Sequence, residues 1–308
     1  EAPLCDGSRL VRIRRGRCPL IVQKHPSLCC FSLQDGWDRI TLWSTMSAMN
    51  IDFRLDGRTA VVCGATGGIG QAIAIAFADA GARVTVVGRD PDRIAQTLSG
   101  LSGAGHDALE ANFSDVGAVK AAAELRARSG NVDILINNTG GPAAGPASAS
   151  DPQVFLDAFQ MHLVNAQTML QTFLPGMKEN NFGRVINIIS TSVITPIPGL
   201  GVSNTIRGAV ANWGRTVAAE LGPFGITVNN VLPGFTATAR LQSLFEGKAK
   251  RLGKTPQEVE ADAISTIPAG RIGHVEELAA AALFLASPAG GYVNGVNLPV
   301  DGGRVCKG

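Results

Sequence analysis

Charge and aromatic rings are both scarce in this sequence. Asp, Glu, Lys and Arg make up 17% of the 308 residues and leave a formal net charge of +2. That is too little to make nucleic acid or an anionic membrane the main partner. Aromatic residues are 5%, and the single tyrosine is Tyr292, close to the C-terminus. No CxxC pair and no His/Cys ligand spacing occurs, which argues against zinc, and no metal site is expected. No apolar stretch of signal-peptide type stands out. The apolar run from Thr59 to Val87 is broken by glycines and by Asp79 and Arg83, so no membrane span is expected. Glycine, in contrast, is abundant at 37 residues. The profile suits an α/β protein with tight strand-to-helix turns, not a disordered or fibrous chain.

The cysteines are unevenly placed. Cys5, Cys18, Cys29 and Cys30 fall in the first thirty residues, leaving Cys63 and Cys306 for the rest. The body therefore reads as a reduced, cytoplasmic protein. Residues 1–48 do not match the rest of the chain. They hold Arg12, Arg14, Arg15 and Arg17 and two of the three tryptophans, yet Glu1, Asp6, Asp35 and Asp38 are wrong for a transit peptide. This stretch is read as a non-functional or disordered extension ahead of a domain spanning 49–308, with Met46 and Met49 as candidate starts.

From Arg58 onward, short apolar runs alternate with helix-length segments. Strands are expected at Thr59–Cys63, Arg83–Val87, Asp107–Ala111, Asp133–Asn137, Arg184–Ile189, Thr227–Leu232 and Val296–Val300. Several are continuous apolar runs, as buried parallel strands require. Helices are expected at Ile69–Ala80, Asp90–Leu98, Gly117–Arg128, Gln153–Met177, Thr205–Leu221 and Val275–Leu285. Strict alternation predicts an α/β fold: one doubly wound, Rossmann-type parallel sheet with helices on both faces. Gly140–Ser150 reads as a loop.

Cys63-Gly64-Ala65-Thr66-Gly67-Gly68-Ile69-Gly70 follows the first of these strands and opens a helix. Glycines there let the backbone approach a pyrophosphate, which helix N-terminal N–H groups then bind. An acidic residue at the end of the next strand would bind a ribose 2′-hydroxyl. Here Gly88 holds that place and Arg89 comes next, which suits a 2′-phosphate and favours NADP(H) over NAD(H).

With these residues in view, the sequence resembles the short-chain dehydrogenase/reductases, particularly the 3-oxoacyl-acyl-carrier-protein reductase-like enzymes, over about residues 53–303. Gly64, Gly68 and Gly70 match the TGxxxGxG turn, and Asn137-Asn138-Thr139-Gly140 the NNAG motif. Pro233, Gly234 and Thr238 match the PG…T stretch; Arg271-Ile272-Gly273 and Asp301-Gly302-Gly303 match the C-terminal signatures. The resemblance implies a cofactor held by Gly64, Thr66, Gly68, Ile69, Gly70, Arg89, Asn112, Phe113, Asn138, Thr139, Gly140, Arg207, Pro233, Gly234 and Thr238, and a homodimer or homotetramer packed through the long helices.

The resemblance also implies a catalytic Asn-Ser-Tyr-Lys set, and here the sequence departs from it. Ser190 occupies the serine position, but His162 stands for the asparagine, Ser203 for the tyrosine and Arg207 for the lysine. No realignment supplies the tyrosine, because Tyr292 is the only one. An aliphatic hydroxyl is a poor acid, and Arg207 does not deprotonate usefully. His162, with an ordinary imidazole pKa, is the candidate proton relay through water to an alkoxide on Ser190 and Ser203. The expected activity is NADP(H)-dependent reduction of a carbonyl, or oxidation of an alcohol, on a small molecule. A cofactor-binding pseudoenzyme and a non-redox lyase or isomerase are the rivals. The segments Gly140–Ser150 and Phe235–Ala261 are expected to shape the substrate pocket, without a readable code.

Overall fold

The computed structural model describes residues 21–25, 28–32 and 51–307, and the chain divides into two units, 1–51 and 52–308. In the first unit, strands β1 (Ile21–His25) and β2 (Leu28–Ser32) pair antiparallel, Ile21 opposite Ser32. The rest of the extension inferred for residues 1–48 lies outside the described residues.

The second unit carries seven strands: β3 (Thr59–Cys63), β4 (Arg83–Gly88), β5 (Asp107–Glu110), β6 (Ile134–Asn137), β7 (Gly183–Ile188), β8 (Ile226–Pro233) and β9 (Asn297–Val300). All pair parallel, in the order β5-β4-β3-β6-β7-β8-β9. This is the expected doubly wound sheet, with every strand within one residue of its expected ends. The order reverses between β3 and β6, which opens a crevice at the carboxyl ends of those strands.

Alternate side chains of β3 feed two cores. Ala60 and Val62 pack with Ile73, Phe77, Leu278 and Leu285 of helices α1 (Gly68–Asp79) and α9 (Val275–Ala286). Val61 and Cys63 face the other way, toward Val119 of α3 (Val116–Arg128), Met169 and Phe173 of α5 (Asn165–Glu179) and Val217 of α6 (Gly201–Leu221). The period-2 alternation of a strand is what serves both faces. Helix α2 (Pro91–Ser99) starts on Asp90, whose carboxylate accepts from Asp92 and Arg93 N–H.

Across the sheet interior runs a ladder of asparagine amides. Asn137 Nδ2 donates to Asn187 Oδ1 (2.9 Å), Asn187 Nδ2 to Asn230 Oδ1 (2.8 Å) and Asn230 Nδ2 to Asn297 Oδ1 (2.8 Å). The four residues are direct neighbours on β6, β7, β8 and β9. Gly214 lets α6 lie directly on the ladder: a Cβ there would stand 2.9 Å from Asn230 Oδ1.

Three expectations change. The helix expected over Gln153–Met177 is interrupted: α4 (Pro152–Phe159) passes through one wide π turn, Gln160–Val164, before α5. Helix α6 begins at Gly201, not Thr205, because Gly201 can press against the Ala147 backbone where a Cβ would clash. The stretch Phe235–Ala261 contains α7 (Ala239–Leu252) and leads into α8 (Pro256–Ser265). Among the described residues, no helix is long and apolar enough to cross a membrane.

Candidate active site

The turn after β3 shapes one end of the site. Gly64 and Gly68 have φ of 59° and 55°, a left-handed conformation that side chains resist. Gly70 packs so closely on the Gly64 carbonyl that a Cβ could not be placed. Asn138, just past β6, donates Nδ2 to the Cys63 and Gly64 carbonyls at 3.2 and 3.3 Å and ties the turn to the neighbouring strand. Helix α1 has glycine at its N-cap, no side-chain cap and no acid in its first turn. Its leading N–H groups are thus available to an anion, and a dinucleotide pyrophosphate fits this end.

A cleft of about 630 Å³ runs from this turn to the end of β8. Of the residues singled out in the sequence, Gly64, Thr66, Gly68, Ile69, Arg89, Asn138, Thr139, Gly140, Ser190, Ser203, Arg207, Pro233, Gly234 and Thr238 line it. Asn112 and Phe113 line an adjoining pocket of about 390 Å³ that shares Thr66, Arg89 and Asn138 with the cleft. Gly70 sits behind the turn.

At the end of β4, Gly88 leaves no room for a side chain, since a Cβ would lie 2.4 Å from Thr66 Cγ2. Arg89 is exposed beside it. Arg93, in the first turn of α2, reaches back to donate to the Thr66 carbonyl at 2.8 Å. Sequence reading missed Arg93, although it lies four residues beyond Arg89 and just after the Asp90 cap.

At the other end, Ser190 Oγ accepts the Ser192 N–H at 3.1 Å. Ser203 and Arg207 lie four residues apart on α6 and so share a face. Arg207 donates Nη1 to the Ile188 carbonyl at 2.7 Å and Nη2 to the Thr139 carbonyl at 3.4 Å. Burial and the nearby Arg240 charge bring its pKa down to about 10, so it stays cationic at neutral pH.

His162 takes a different place from the one its candidate role requires. It is buried in the π turn, behind the cleft wall, with Nδ1 2.6 Å from Thr139 Oγ1. Wide turns of this kind recur at functional sites. Burial and the Arg207 charge push its pKa down to about 3, so the imidazole is neutral near pH 7 and does not titrate there as an unperturbed one would. Its Nε2 and Oδ1 of Asn165 have no protein partner, and both residues line a cavity of about 10 Å³.

Arg240 and Arg304 also line the cleft without having been singled out. Arg240 sits on α7, a helix absent from the sequence reading, and no local motif marks it. Among the described residues, no group of three His, Cys, Asp or Glu side chains is placed to hold a metal ion.

Comparison with known proteins decides the family. The family model described as Enoyl-(Acyl carrier protein) reductase matches residues 64–304. D-threitol dehydrogenase of Mycolicibacterium smegmatis is 32% identical over 265 residues, 84% of this chain and 97% of that protein. The 3-oxoacyl-[acyl-carrier-protein] reductase FabG of Haemophilus influenzae is 32% identical over 250 residues, 81% of this chain and 98% of that protein. This chain belongs to the short-chain dehydrogenase/reductase family. Among solved structures, YwfH, an NADPH-dependent reductase involved in bacilysin biosynthesis, superposes with a TM-score of 0.76 at 31% identity, covering 80% of this chain and 98% of that one. The short-chain dehydrogenase/reductase signature Arg271-Ile272-Gly273 serves the local fold here. Arg271 pairs with Glu277 at 2.6 Å, and Glu277 also accepts the His274 N–H at the start of α9.

Proposed function

We propose that this chain binds NADP(H) and interconverts a carbonyl and an alcohol on a small molecule, using serines and an arginine where the family uses tyrosine and lysine. The observation that carries the reading is the single cleft joining the uncapped N-terminus of α1 to Ser190, Ser203 and Arg207. Backbone N–H groups of the Gly64–Gly70 turn would hold the pyrophosphate, and Asn112 and Phe113 the adenine. Arg89 and Arg93, beside a Gly88 that excludes a carboxylate, support NADP(H) over NAD(H). Thr139, Gly140, Arg207, Pro233, Gly234 and Thr238 would meet the nicotinamide half.

NADPH bound there would supply the reducing equivalent to the carbonyl carbon, and the oxygen takes up a proton. Ser190 spends one lone pair on the Ser192 N–H, which leaves its hydroxyl hydrogen to donate to the substrate oxygen. Ser203 adds a second hydroxyl. The positive field of Arg207 favours the negative charge that develops on the oxygen, without direct contact. The proton comes from water in the open cleft. His162, neutral and bonded to Thr139, acts as a positioning residue for the cofactor wall.

Nicotinamide fluorescence titrations of the full chain test the cofactor. NADPH should bind more tightly than NADH, and Arg89→Ala and Arg93→Ala should each weaken NADPH about ten-fold or more. Binding by neither cofactor overturns the proposal. A ketone panel with NADPH consumption tests turnover, and binding without turnover favours a cofactor-binding pseudoenzyme.

The exposed Val154, Leu156 and Phe159 of α4 support self-association into a dimer or tetramer, which light scattering tests. Free Cys63 and Cys306 fit a reducing cytoplasm.

A further inference from the structure

Among the described residues, five arginines line the main cleft, Arg89, Arg93, Arg207, Arg240 and Arg304, and no aspartate or glutamate does. Arg89 and Arg93 gather at the Thr66 end. Arg240 and Arg304 have no part in the proposed function, and Arg207 acts there only through its field and the cofactor wall.

Arg240 reaches from the first turn of α7 to the far wall, where Nη2 donates to the Pro142 carbonyl at 2.5 Å. Arg207 approaches the same wall from α6. The two guanidinium groups converge over Gly141: Nη2 of Arg240 lies 3.7 Å, and Nη2 of Arg207 3.9 Å, from the point where a side chain would begin. Glycine leaves that point open. Among the described residues, neither arginine has a carboxylate within ion-pair distance, and the charge that acts on Arg207 is the like charge of Arg240. Among the described residues each guanidinium bonds backbone carbonyls and no carboxylate, so the repulsion between these like charges is left for an anion to offset. Arg304 adds a third cation. Its guanidinium stands 4.6 Å over the Phe235 ring, and its Nε is buried with no partner in the protein.

We infer that the substrate is anionic: a carboxylate or phosphate on the molecule whose carbonyl meets Ser190 is held over Gly141 by the guanidinium groups of Arg207 and Arg240. The inference rests on the carbonyl–alcohol reading above. The cofactor's pyrophosphate is the other available anion, but it already has donors at the uncapped start of α1. Gly141 lies in the stretch Gly140–Ser150, which the sequence leads one to expect at the substrate pocket. Arginine suits this task because its planar fork meets carboxylate and phosphate oxygens with paired hydrogen bonds.

The test uses the full chain and two matched pairs of probes: 4-oxopentanoate with its methyl ester, and dihydroxyacetone phosphate with dihydroxyacetone. In at least one pair the charged probe should show kcat/KM about ten-fold or more above its neutral partner. Arg240→Gln should collapse that ratio toward unity, and Arg240→Lys should keep part of it. Equal rates within both pairs overturn the inference. So does an Arg240→Gln variant that weakens NADPH binding as much as it weakens the acid, because the anion is then the cofactor's pyrophosphate. If NADPH binds but neither these probes nor the ketone panel is reduced, the carbonyl–alcohol reading fails by itself. The NADP-loaded protein then decides the anion site: a melting shift with the charged probe, absent with the neutral one and lost in Arg240→Gln, supports it, and no shift overturns it.

Discussion

Thr139 Oγ1 lies 2.6 Å from Nδ1 of His162, and this one contact joins the loop after β6 to the π turn between α4 and α5. It couples a residue in the cleft wall to an imidazole that burial and Arg207 keep neutral, with a pKa pushed down to about 3. Between about pH 6.5 and that value, the unfolded chain binds a proton here that the folded chain does not. Stability from this residue is therefore present above the unfolded pKa and falls as pH falls, by at most about 1.4 kcal/mol per pH unit. Urea unfolding of the wild type should lose midpoint more steeply from about pH 7 to about pH 5 than His162→Asn does. Equal slopes would mean that His162 is not held neutral.

Asn187 accepts from Asn137 and donates to Asn230 in the sheet interior. Asn187→Ala strands a donor on one side and an acceptor on the other. The expected loss is about 1–3 kcal/mol for each stranded group, read from chemical denaturation.

Gly214→Ala should destabilise by about 1–3 kcal/mol through overpacking. Its Cβ would stand 2.9 Å from Asn230 Oδ1 and 3.0 Å from Asn187 Nδ2, lifting α6 off the ladder. Because α6 carries Ser203 and Arg207, kcat should fall as well. A variant with altered stability and an unchanged kcat would separate the ladder from the site.

Gly88→Asp should not convert the site to NADH. The new Cβ meets Thr66 Cγ2 at 2.4 Å and Ile94 Cγ1 at 3.2 Å, so binding of both cofactors should weaken. Adding Thr66→Gly removes the nearer clash and should recover NADH affinity ahead of NADPH. Fluorescence titration of the single and double variants checks the order.

Ser190→Ala removes the hydroxyl that, in the proposed function, donates to the substrate oxygen. The expected cost is about 10²–10³-fold in kcat, as for loss of a single oxyanion donor, with NADPH affinity retained. A kcat within two- to three-fold of wild type, at about the scatter of such effects, would remove Ser190 from the chemistry.

Strands such as Thr59–Cys63 were legible because they are short runs that stay apolar and buried on both faces, while Asp107–Glu110, exposed at three of its four positions, was legible from the alternation around it. The Gly64–Gly70 turn was legible because its chemistry is local. Helix α7 was not, since only Ala249 of its residues is buried, so it adds almost nothing to the apolar core. Helix α8 did carry a local signal, the Thr255–Glu258 capping box with Pro256 at its start. The π turn left no pattern, because one extra residue in a helix barely disturbs the spacing of side chains.

The sequence by itself determined the parallel sheet, the glycine turn, the arginine after β4 and the lack of any tyrosine for the usual place. These depend on periodicity and residue type within short windows. Only the tertiary structure decided that His162 is neutral, that Gly88 admits no side chain, and that Arg207 and Arg240 converge over Gly141. Desolvation and the meeting of like charges arise when distant segments pack together, as when Arg240 reaches Pro142 across 98 residues of chain.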